Sequence, residues 1–295
     1  MSKITPETQA RFDKLMARID ELIPPVDTIR LKPSRAETTV FDSKLGGVPY
    51  LPKNMEYPTV REGIYAGRPL RLLAQLNFSA LPKIAGYPTE GILQIFAGCI
   101  DDELYGVDFD NNCDQNGFRI IYHENIITDT AALISADDMP EFGEGDDYYP
   151  FTGEFLLTAE EPAKMSVVAT DFRFEKAAAA AYNELFGGDV VSMWDENGKG
   201  IRQVDEELYS AIHSRYSSKT RVGGYPFFMQ EDPRGYNDEY ARRTIMLFQC
   251  DSESGGEGWE NEICWGDSGV ANFFITPEDL AKRDFSNVLY TWDCG

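Results

Sequence analysis

Histidines and closely spaced cysteines are nearly absent from this sequence of 295 residues. It contains two histidines, His123 and His213, and five cysteines, no two of which are closer than fourteen positions. This spacing excludes a zinc knuckle and a Cys-x-x-Cys redox motif, and an odd number of cysteines does not suggest a disulfide framework. We expect reduced, mostly buried thiols in a cytoplasmic protein.

Long apolar runs and nucleotide-binding loops are also missing. No run of eighteen apolar residues occurs, and the first residues, MSKITPETQARF, contain no apolar signal core. Neither a Walker loop nor a Rossmann fingerprint is present. We therefore predict a soluble protein that does not associate with membranes.

Positive charge is scarce, with 27 Lys and Arg against 50 Asp and Glu, so that the formal net charge is −23. Nucleic acid is excluded as a partner because its binding depends on cations that displace counterions from phosphate. An anionic membrane surface is disfavoured for the same reason. The acidity either serves solubility or favours a cationic ligand, a divalent ion or a basic protein.

The order of the predicted elements indicates an α+β fold that is predominantly β. A helix begins at the capping residue Thr5 and ends at Pro24-Pro25, with one apolar stripe that we expect to dock on the protein's own core. Strands are predicted at RLLAQLNF, GILQIFAG, YGVDFD and FRIIYHENII, followed by an acidic loop at 137–150. Helices are predicted at 174–186, at 205–216 and after Thr276, and a last strand at NVLYTWDC.

Three blocks of the sequence occur twice in the same order. SKLGGVPYLP (43–52) aligns without gaps with TRVGGYPFFM (220–229), and GRPLRLLAQLNF (67–78) aligns with ARRTIMLFQCDS (241–252). GILQIF (91–96) aligns with GVANFF (269–274). We predict a single domain over 1–295 with pseudo-repeat halves at about 26–160 and 219–295, joined by a helical connection at 171–217.

The repeated blocks place matching polar residues on the same face of a strand. Alternation along a strand puts Gln75 beside Asn77, and Gln249 beside Asp251. Buried polar side chains need partners, and those partners are either neighbouring loop backbone or a ligand. The second alternative predicts a polar cleft between the halves, with these ligand-binding residues: Arg68, Gln75, Asn77, Arg242, Gln249 and Asp251.

The tetrapeptide Gly-Asp-Ser-Gly at 266–269 matches the nucleophile motif of trypsin-like proteases. A serine nucleophile needs a histidine and a buried aspartate. His123 lies in a strand pattern and His213 in a helix pattern, and neither has the expected setting. The matching turn of the first half, AGYPTE, contains no serine in the equivalent place. We interpret the motif as a tight turn and predict no catalytic residues.

The acidic segment 101–114 offers two interpretations, of which the first is a cation site of low affinity. Asn112, Asp114, Asn116 and Gly117 match the first positions of a calcium loop, but His123 stands where the loop requires a bidentate glutamate. The alternative is an ordinary turn, since Asn-Gly favours type I′ hairpins. The candidate metal ligands, for calcium or magnesium, are Asp108, Asp110, Asn112, Asp114 and Asn116, with Asp101 and Asp102 upstream.

The chain resembles the YwqG-like family of bacterial proteins, a domain of unknown function. The resemblance rests on GGVPYLP, LAQLNF, GILQIF, GYPFFMQEDPR, WGDSGVANFFI and DFSNVLYTWDC. It implies a mainly β protein with an internal duplication and flanking helices, and it brings no reaction and no catalytic residues. Some members lie near toxin and immunity genes, which implies an interaction role.

We therefore expect a non-catalytic cytoplasmic binding protein without a cofactor, whose partner is another protein or a small ligand in the cleft between the halves. The alternative is a divalent-metal-assisted hydrolase that uses the acidic segment 101–114, since an all-oxygen site needs neither histidine nor cysteine.

Overall fold

Eleven described strands form one curled antiparallel sheet, accompanied by six described α-helices. The structure is a computed structural model, and it describes residues 4–98, 105–142, 149–214, 218–253 and 262–295. The strands are β1 (Val26–Ser34), β2 (Lys44–Gly46), β3 (Arg71–Asn77), β4 (Ile92–Ala97), β5 (Phe118–His123), β6 (Glu154–Ala159), β7 (Ala163–Met165), β8 (Arg221–Gly223), β9 (Ile245–Asp251), β10 (Val270–Ile275) and β11 (Leu289–Asp293).

The helices of the described residues lie at the N-terminus, between β7 and β8, and in the last third of the chain. They are α1 (Pro6–Leu22), α2 (Phe174–Phe186), α3 (Ile201–Val204), α4 (Glu206–His213), α5 (Asp238–Ala241) and α6 (Pro277–Lys282). The predominantly β class that the sequence predicts is therefore confirmed.

Strand β1 joins the two sides of the sheet, a term that we use for the two halves of the strand order and not for the two faces: β8–β11 form one side and β2–β6 the other. The strand order is β11-β10-β9-β8-β1-β6-β2-β3-β4-β5, with β7 also paired to β1. Residues 28–30 of β1 pair with β8, whereas residues 31–34 pair with β6. Strand β6 in turn pairs with β2. Strand β1 therefore extends the group β8–β11, and strand β6 extends the group β2–β5.

Local sequence signals place most helix ends correctly. Thr5 caps α1, because its side-chain oxygen accepts a hydrogen bond from Thr8 N at 3.1 Å. The predicted helix at 174–186 has the bounds of α2, and Thr276 caps α6. Helix α4 covers part of the predicted 205–216, where residues 215–217 lie outside the described residues.

The strand predicted at YGVDFD is wrong. Tyr105 and Gly106 both have positive φ, +43° and +79°, and open an irregular loop at this point. Tyr105 and Val107 are buried, so the apolar alternation reflects anchors of a loop rather than a ladder. Part of the predicted acidic loop at 137–150 lies at residues 143–148, outside the described residues.

The two largest of the five hydrophobic clusters among the described residues form the main cores. The larger one contains side chains of β3, β4, β9, β10 and β11 from both sides of the sheet. The second one holds the helices: Leu15 and Ile19 of α1 are fully buried and share a cluster with Ala178 of α2 and Leu208 of α4. The apolar stripe of α1 therefore docks on the protein itself, as the sequence predicts.

Gly46 provides a test of the turn after β2. Its φ is +65°, and a Cβ atom there would lie 2.3 Å from the carbonyl oxygen of Gly153. We expect Gly46→Ala to lower the free energy of unfolding by about 2–4 kcal/mol, because backbone strain and a backbone clash add. Gly63→Ala is the matched control, since Gly63 has φ +86° with open space around it, and about 1 kcal/mol is expected from φ alone. Urea unfolding measures both, and equal losses would contradict the close approach.

Candidate functional site

Gln75 is fully buried on β3 and holds the segment before and after the Gly-Gly turn. Its Oε1 accepts a hydrogen bond from Tyr50 N at 2.8 Å. Its Nε2 donates to the carbonyl oxygens of Val40 and Asp42, both at 2.9 Å. The Gln75 amide is thus bonded to loop backbone, and its Oε1 also accepts a hydrogen bond from Gln94 Nε2 at 2.8 Å.

Gln249 on β9 makes the corresponding contacts on the other side of the sheet. Its Oε1 accepts from Phe227 N at 2.8 Å, and its Nε2 donates to Lys219 O at 2.8 Å. Tyr50 and Phe227 are aligned residues of the repeated block. Each glutamine therefore fixes the same point of the same turn.

Asn77 and Asp251 are the next polar residues along β3 and β9. Asn77 N donates to Ser43 Oγ at 2.9 Å, and Asp251 N donates to Thr220 Oγ1 at 3.1 Å. The side chain of Asn77 donates to Phe41 O at 2.8 Å. Burial raises the pKa of Asp251 to about 6, against a hydrogen bond from the Ser218 side chain that lowers it. Asn77 and Asp251 therefore also hold the residues that precede the two Gly-Gly turns.

Gln94 and Asn272 complete this pattern and were missed in the sequence. Gln94 Nε2 donates to Tyr50 O at 2.7 Å, and Asn272 Nδ2 donates to Phe227 O at 2.8 Å. They occupy the same place in GILQIF and GVANFF, on β4 and β10. A polar residue at one aligned position of two otherwise apolar strands was the signal that could have found them.

Arg68 and Arg242 lie on the surface rather than beside the buried amides. The Arg68 guanidinium is 5.1 Å from the Tyr65 ring centroid, and Arg242 pairs with Glu239 at 3.4 Å. The neighbour of Arg242, Arg243, is the buried one and donates to Asn287 O at 3.1 Å. The structure therefore does not bring the six predicted binding residues to one surface.

The predicted metal ligands are brought together only in part. Asp108, Asp110, Asp114 and Asn116 line one cavity of about 540 Å³. Asn112 instead donates to Tyr290 O at 2.9 Å. Within the described ranges, no group of three or more His, Cys, Asp or Glu side chains is arranged to hold a metal ion. Asp101 and Asp102 lie outside these ranges, so calcium or magnesium binding and a metal-assisted hydrolase stay predictions.

Ser268 lies in a turn, as predicted. Its φ is +63°, it is exposed, and Gly269 N donates to Trp265 O across the turn at 2.7 Å. His123 is buried on β5, where its Nε2 contacts Gln94 Oε1 at 2.9 Å. Burial lowers the pKa of His123 to about 4, which keeps the ring neutral.

Two adjoining cavities of about 660 and 680 Å³ form a groove that is lined mainly by residues of the second half of the chain. Gln230, Glu231 and Tyr236 line both cavities. The first cavity is closed by the loop before β5 and by the end of β11, and the second by α2 and α4. We call this surface the carboxylate groove, and its other lining residues include Phe109, Asp110, Glu175, Trp194, Met229, Trp292 and Asp293.

Lysine and arginine are absent from the residues that line the carboxylate groove, among those described. Asp110 and Glu231 are exposed and form no ion pair with a described residue. Two further carboxylates form its floor, Asp171 and Asp232. They are neutralised by two arginines: Arg173 pairs with Asp171 at 2.7 Å, and the fully buried Arg234 lies 3.0 Å from Asp171 and 2.7 Å from Asp232. The floor is balanced, whereas the open side keeps its negative charge.

Asp293, the last residue of β11, carries the least stabilised carboxylate of the groove. Its Oδ2 accepts from Gln230 N at 2.7 Å, and its Oδ1 accepts no hydrogen bond from a described residue. Burial raises the pKa of Asp293 to about 6, although the backbone amides of Gln230 and Met229 oppose this. At neutral pH the group is therefore ionised at an energetic cost.

Large apolar side chains stand open to solvent along the same groove. Tyr236 is 71 % exposed, Trp194 56 %, Phe109 52 % and Met229 44 %. Aromatic faces beside uncompensated carboxylates can bind a cation and the methylene chain that bears it.

Comparison with known proteins identifies a family. The family model described as a domain of unknown function, DUF1963, matches residues 43–294. No curated protein matches the chain. Among the described helices, none is both long and apolar enough to cross a bilayer.

The glutamine contacts predict a structural role that stability measurements can test. We expect Gln249→Met to lower the free energy of unfolding by about 2–3 kcal/mol, because Phe227 N and Lys219 O lose their partner inside the protein. Gln9→Met is the control, since Gln9 is exposed and its side chain donates to the neighbouring Asp13 on the surface of α1, and it should change stability by less than about 0.5 kcal/mol. Equal effects of the two substitutions in urea unfolding would contradict the role.

The raised pKa of Asp293 predicts a pH-dependent gain from its neutral isostere. Above pH 6 the ionised carboxylate lowers stability, and this loss disappears as the pH falls through 6 towards 4, because the folded state then takes up a proton. Asp293→Asn should raise the free energy of unfolding by about 1–2 kcal/mol at pH 7.5 and leave it unchanged at pH 4. Thermal unfolding at both pH values measures this, and a loss of stability at pH 7.5 would contradict it.

Proposed function

Because the chain belongs to the YwqG-like family, a domain of unknown function, we propose a function from the groove: a non-catalytic binding protein that holds a cationic segment of a partner protein in the carboxylate groove. The observation that carries this proposal is the charge of the lining, in which Asp110, Glu231 and Asp293 face the same opening without a described cation. Like charges near one another are unfavourable, and a bound cation relieves that repulsion.

The state of Asp293 supports a ligand for this surface. A carboxylate that is ionised at an energetic cost is destabilising in the free protein, and such groups persist where binding or catalysis uses them. A lysine or arginine side chain would supply the donors that Oδ1 lacks. Binding of a cation would therefore be stronger than an ordinary surface ion pair, since the carboxylate is already partly desolvated.

The exposed aromatic residues support a protein segment rather than a free ion. Trp194 and Tyr236 offer faces to a guanidinium or an ammonium group, and Met229 offers an adaptable apolar contact. Aromatic residues and methionine are enriched at protein interfaces. Two adjoining cavities of about 660 and 680 Å³ offer room for several residues of a partner.

A binding role without catalysis is supported by the placement of the nucleophile and base candidates. Ser268 lies in the turn before β10, His123 on β5 and His213 on α4. His123 Nε2 is engaged in a hydrogen bond with Gln94 Oε1, and burial lowers the pKa of His213. The three residues therefore belong to separate elements with separate surroundings.

The internal duplication is part of the same proposal: we infer that β2–β5 and β8–β11 are two copies of one unit. The sheet order is symmetric about the β1–β6 pair, with β8 beside β1 and β2 beside β6. Gln75 and Gln249 bind aligned backbone positions, as do Gln94 and Asn272. On this account β1 and β6 are the first strands of the two copies, and each completes the sheet of the other.

The cytoplasm is the proposed location. Cys113, Cys250, Cys264 and Cys294 form no disulfide, and Cys99 lies outside the described residues. Free thiols are usual for proteins in a reducing compartment.

Neutralising the groove tests the proposed function. The groove variant carries Asp110→Asn, Glu231→Gln and Asp293→Asn. The control variant carries Glu37→Gln, Glu56→Gln and Glu161→Gln, three exposed residues that do not line the groove and that change the net charge equally. The probe is fluorescein-labelled octalysine, measured by fluorescence polarisation at physiological salt.

The groove variant should bind octalysine at least 10-fold more weakly than the natural protein, since three contacts of at least about 0.5 kcal/mol each are lost. The control variant should stay within about 2-fold, because exposed charges at a distance are screened. Equal weakening of both variants would assign the attraction to net charge and contradict the groove as the site.

A further inference from the structure

One side of the sheet already holds an extended segment of the chain against its turn. Lys53 N donates to Ala132 O at 2.9 Å, and Ile134 N donates to Leu51 O at 2.9 Å. Between them, Pro52 and Leu133 form an antiparallel bridge. Residues 132–134 thus lie along Leu51–Lys53 as a short added strand.

The covering segment is held by side chains as well as by backbone. Leu133 is 1 % exposed and clusters with Tyr50 and Ile92, and Ile126 packs against the same cluster. Tyr50 Oη accepts a hydrogen bond from Ile127 N at 2.7 Å. Residues 124–138 therefore cover the segment around Tyr50 that Gln75 holds, in the way that a bound peptide would.

The aligned strip on the other side of the sheet lies in the carboxylate groove, where Phe228 is 2 % exposed and the Gln230 side chain donates to Cys294 O at 2.8 Å, but no described segment pairs with the backbone of the strip. Phe228–Gln230 align with Leu51–Lys53, and all three line the second cavity. Gln230 N donates to the Asp293 side chain rather than to a carbonyl group. Phe228 O accepts no hydrogen bond from a described residue, and no described residue forms a bridge with this strip.

From this comparison we propose that the carboxylate groove receives an extended segment of a partner protein, which pairs with Phe228–Gln230 in the antiparallel register that residues 132–134 adopt on Leu51–Lys53. The inference rests on the proposed function and adds the backbone geometry of the bound segment. One carbonyl oxygen of the segment accepts a hydrogen bond from Gln230 N, and one N–H of the segment donates to Phe228 O. Strand addition of this kind is a common mode of peptide recognition.

The exchange at Gln230 links backbone pairing to charge. When a carbonyl group of the partner accepts from Gln230 N, the Asp293 carboxylate loses its hydrogen bond and becomes free for a basic side chain of the same segment. Both steps are therefore favoured together by a segment that is extended and positively charged.

The distribution of charge on the two sides supports a basic segment. On the covered side, the strip carries the cation, Lys53, and the covering segment carries Asp138, with Nζ and Oδ2 3.8 Å apart. In the groove the signs are reversed, because the protein contributes Glu231 and Asp293 and the residue aligned with Lys53 is the neutral Gln230. Charge complementarity then requires cations on the bound segment.

The chain supplies its own probe for this inference. The first peptide has the sequence of residues 124–138 with lysine at its four acidic positions, Glu124, Asp129, Asp137 and Asp138. The second keeps the natural acidic sequence. The third is the lysine peptide with an N-methyl group at the position of Ile134, which removes the N–H expected to reach Phe228 O. The fourth carries the N-methyl group at the position of the exposed Thr128.

Fluorescence polarisation with the full chain and with the groove variant gives the affinities. The lysine peptide should bind the natural protein at least 10-fold more tightly than the acidic peptide, and more tightly than it binds the groove variant. N-methylation at the Ile134 position should weaken binding at least 5-fold, and N-methylation at the Thr128 position should change it by less than 2-fold.

Two outcomes overturn the inference and leave the proposed function intact. The first is an equal affinity of the two N-methylated peptides, which would show that backbone pairing is not used. The second is a lysine peptide that fails to bind while octalysine still binds in a groove-dependent manner. Failure of both the lysine peptide and octalysine would remove the inference and the proposed function together.

Discussion

The hydrogen bonding of two buried glutamines to loop backbone is the constraint on which the rest of this structure depends. Gln75 and Gln249 are both fully buried, so each amide must find its partners inside the protein. They find them in the backbone at Tyr50 and Phe227, directly after the Gly-Gly turns. Gln94 and Asn272 hold the carbonyl groups of the same two residues from the neighbouring strand. These four side chains fix the position of the strips Leu51–Lys53 and Phe228–Gln230, which lie at the edge of the frame.

The two sides of the sheet share this frame and differ in what lies on it. On one side, residues 132–134 satisfy the strip with two backbone hydrogen bonds. On the other, the strip ends in a carboxylate contact at Asp293 and opens into a groove with exposed aromatic residues. The buried cluster of Arg234, Asp171 and Asp232 supports the floor of that groove without neutralising its open side. The same local physics therefore produces one closed surface and one open, negatively charged surface.

Much of the fold could be predicted from the sequence because its signals are local. The cap at Thr5, the apolar stripe of α1 and the Gly-Gly turns each depend on a few adjacent residues. The strand predicted at YGVDFD failed because burial of Tyr105 and Val107 imitates the alternation of a strand, while positive φ angles break it. The matching roles of Gln75 and Gln249 followed from the alignment, although their partners did not.

The groove could not be predicted because its residues are far apart in the chain. Asp110, Glu231 and Asp293 meet only when the loop before β5 packs beside the end of β11. Among 50 acidic residues, no local pattern distinguishes these three from the solvated ones. The sequence left open whether its net charge of −23 serves solubility or favours a cationic ligand, and it gave no sign of where such a ligand would bind.

The most direct measurement of the central claim is a backbone amide chemical-shift map of the full chain during titration with octalysine at physiological salt. The account predicts that the shifts concentrate at Gln230, Glu231, Tyr236 and Asp293. Shifts spread evenly over exposed acidic residues such as Glu37, Glu56 and Glu161, with none in the groove above that level, would contradict it.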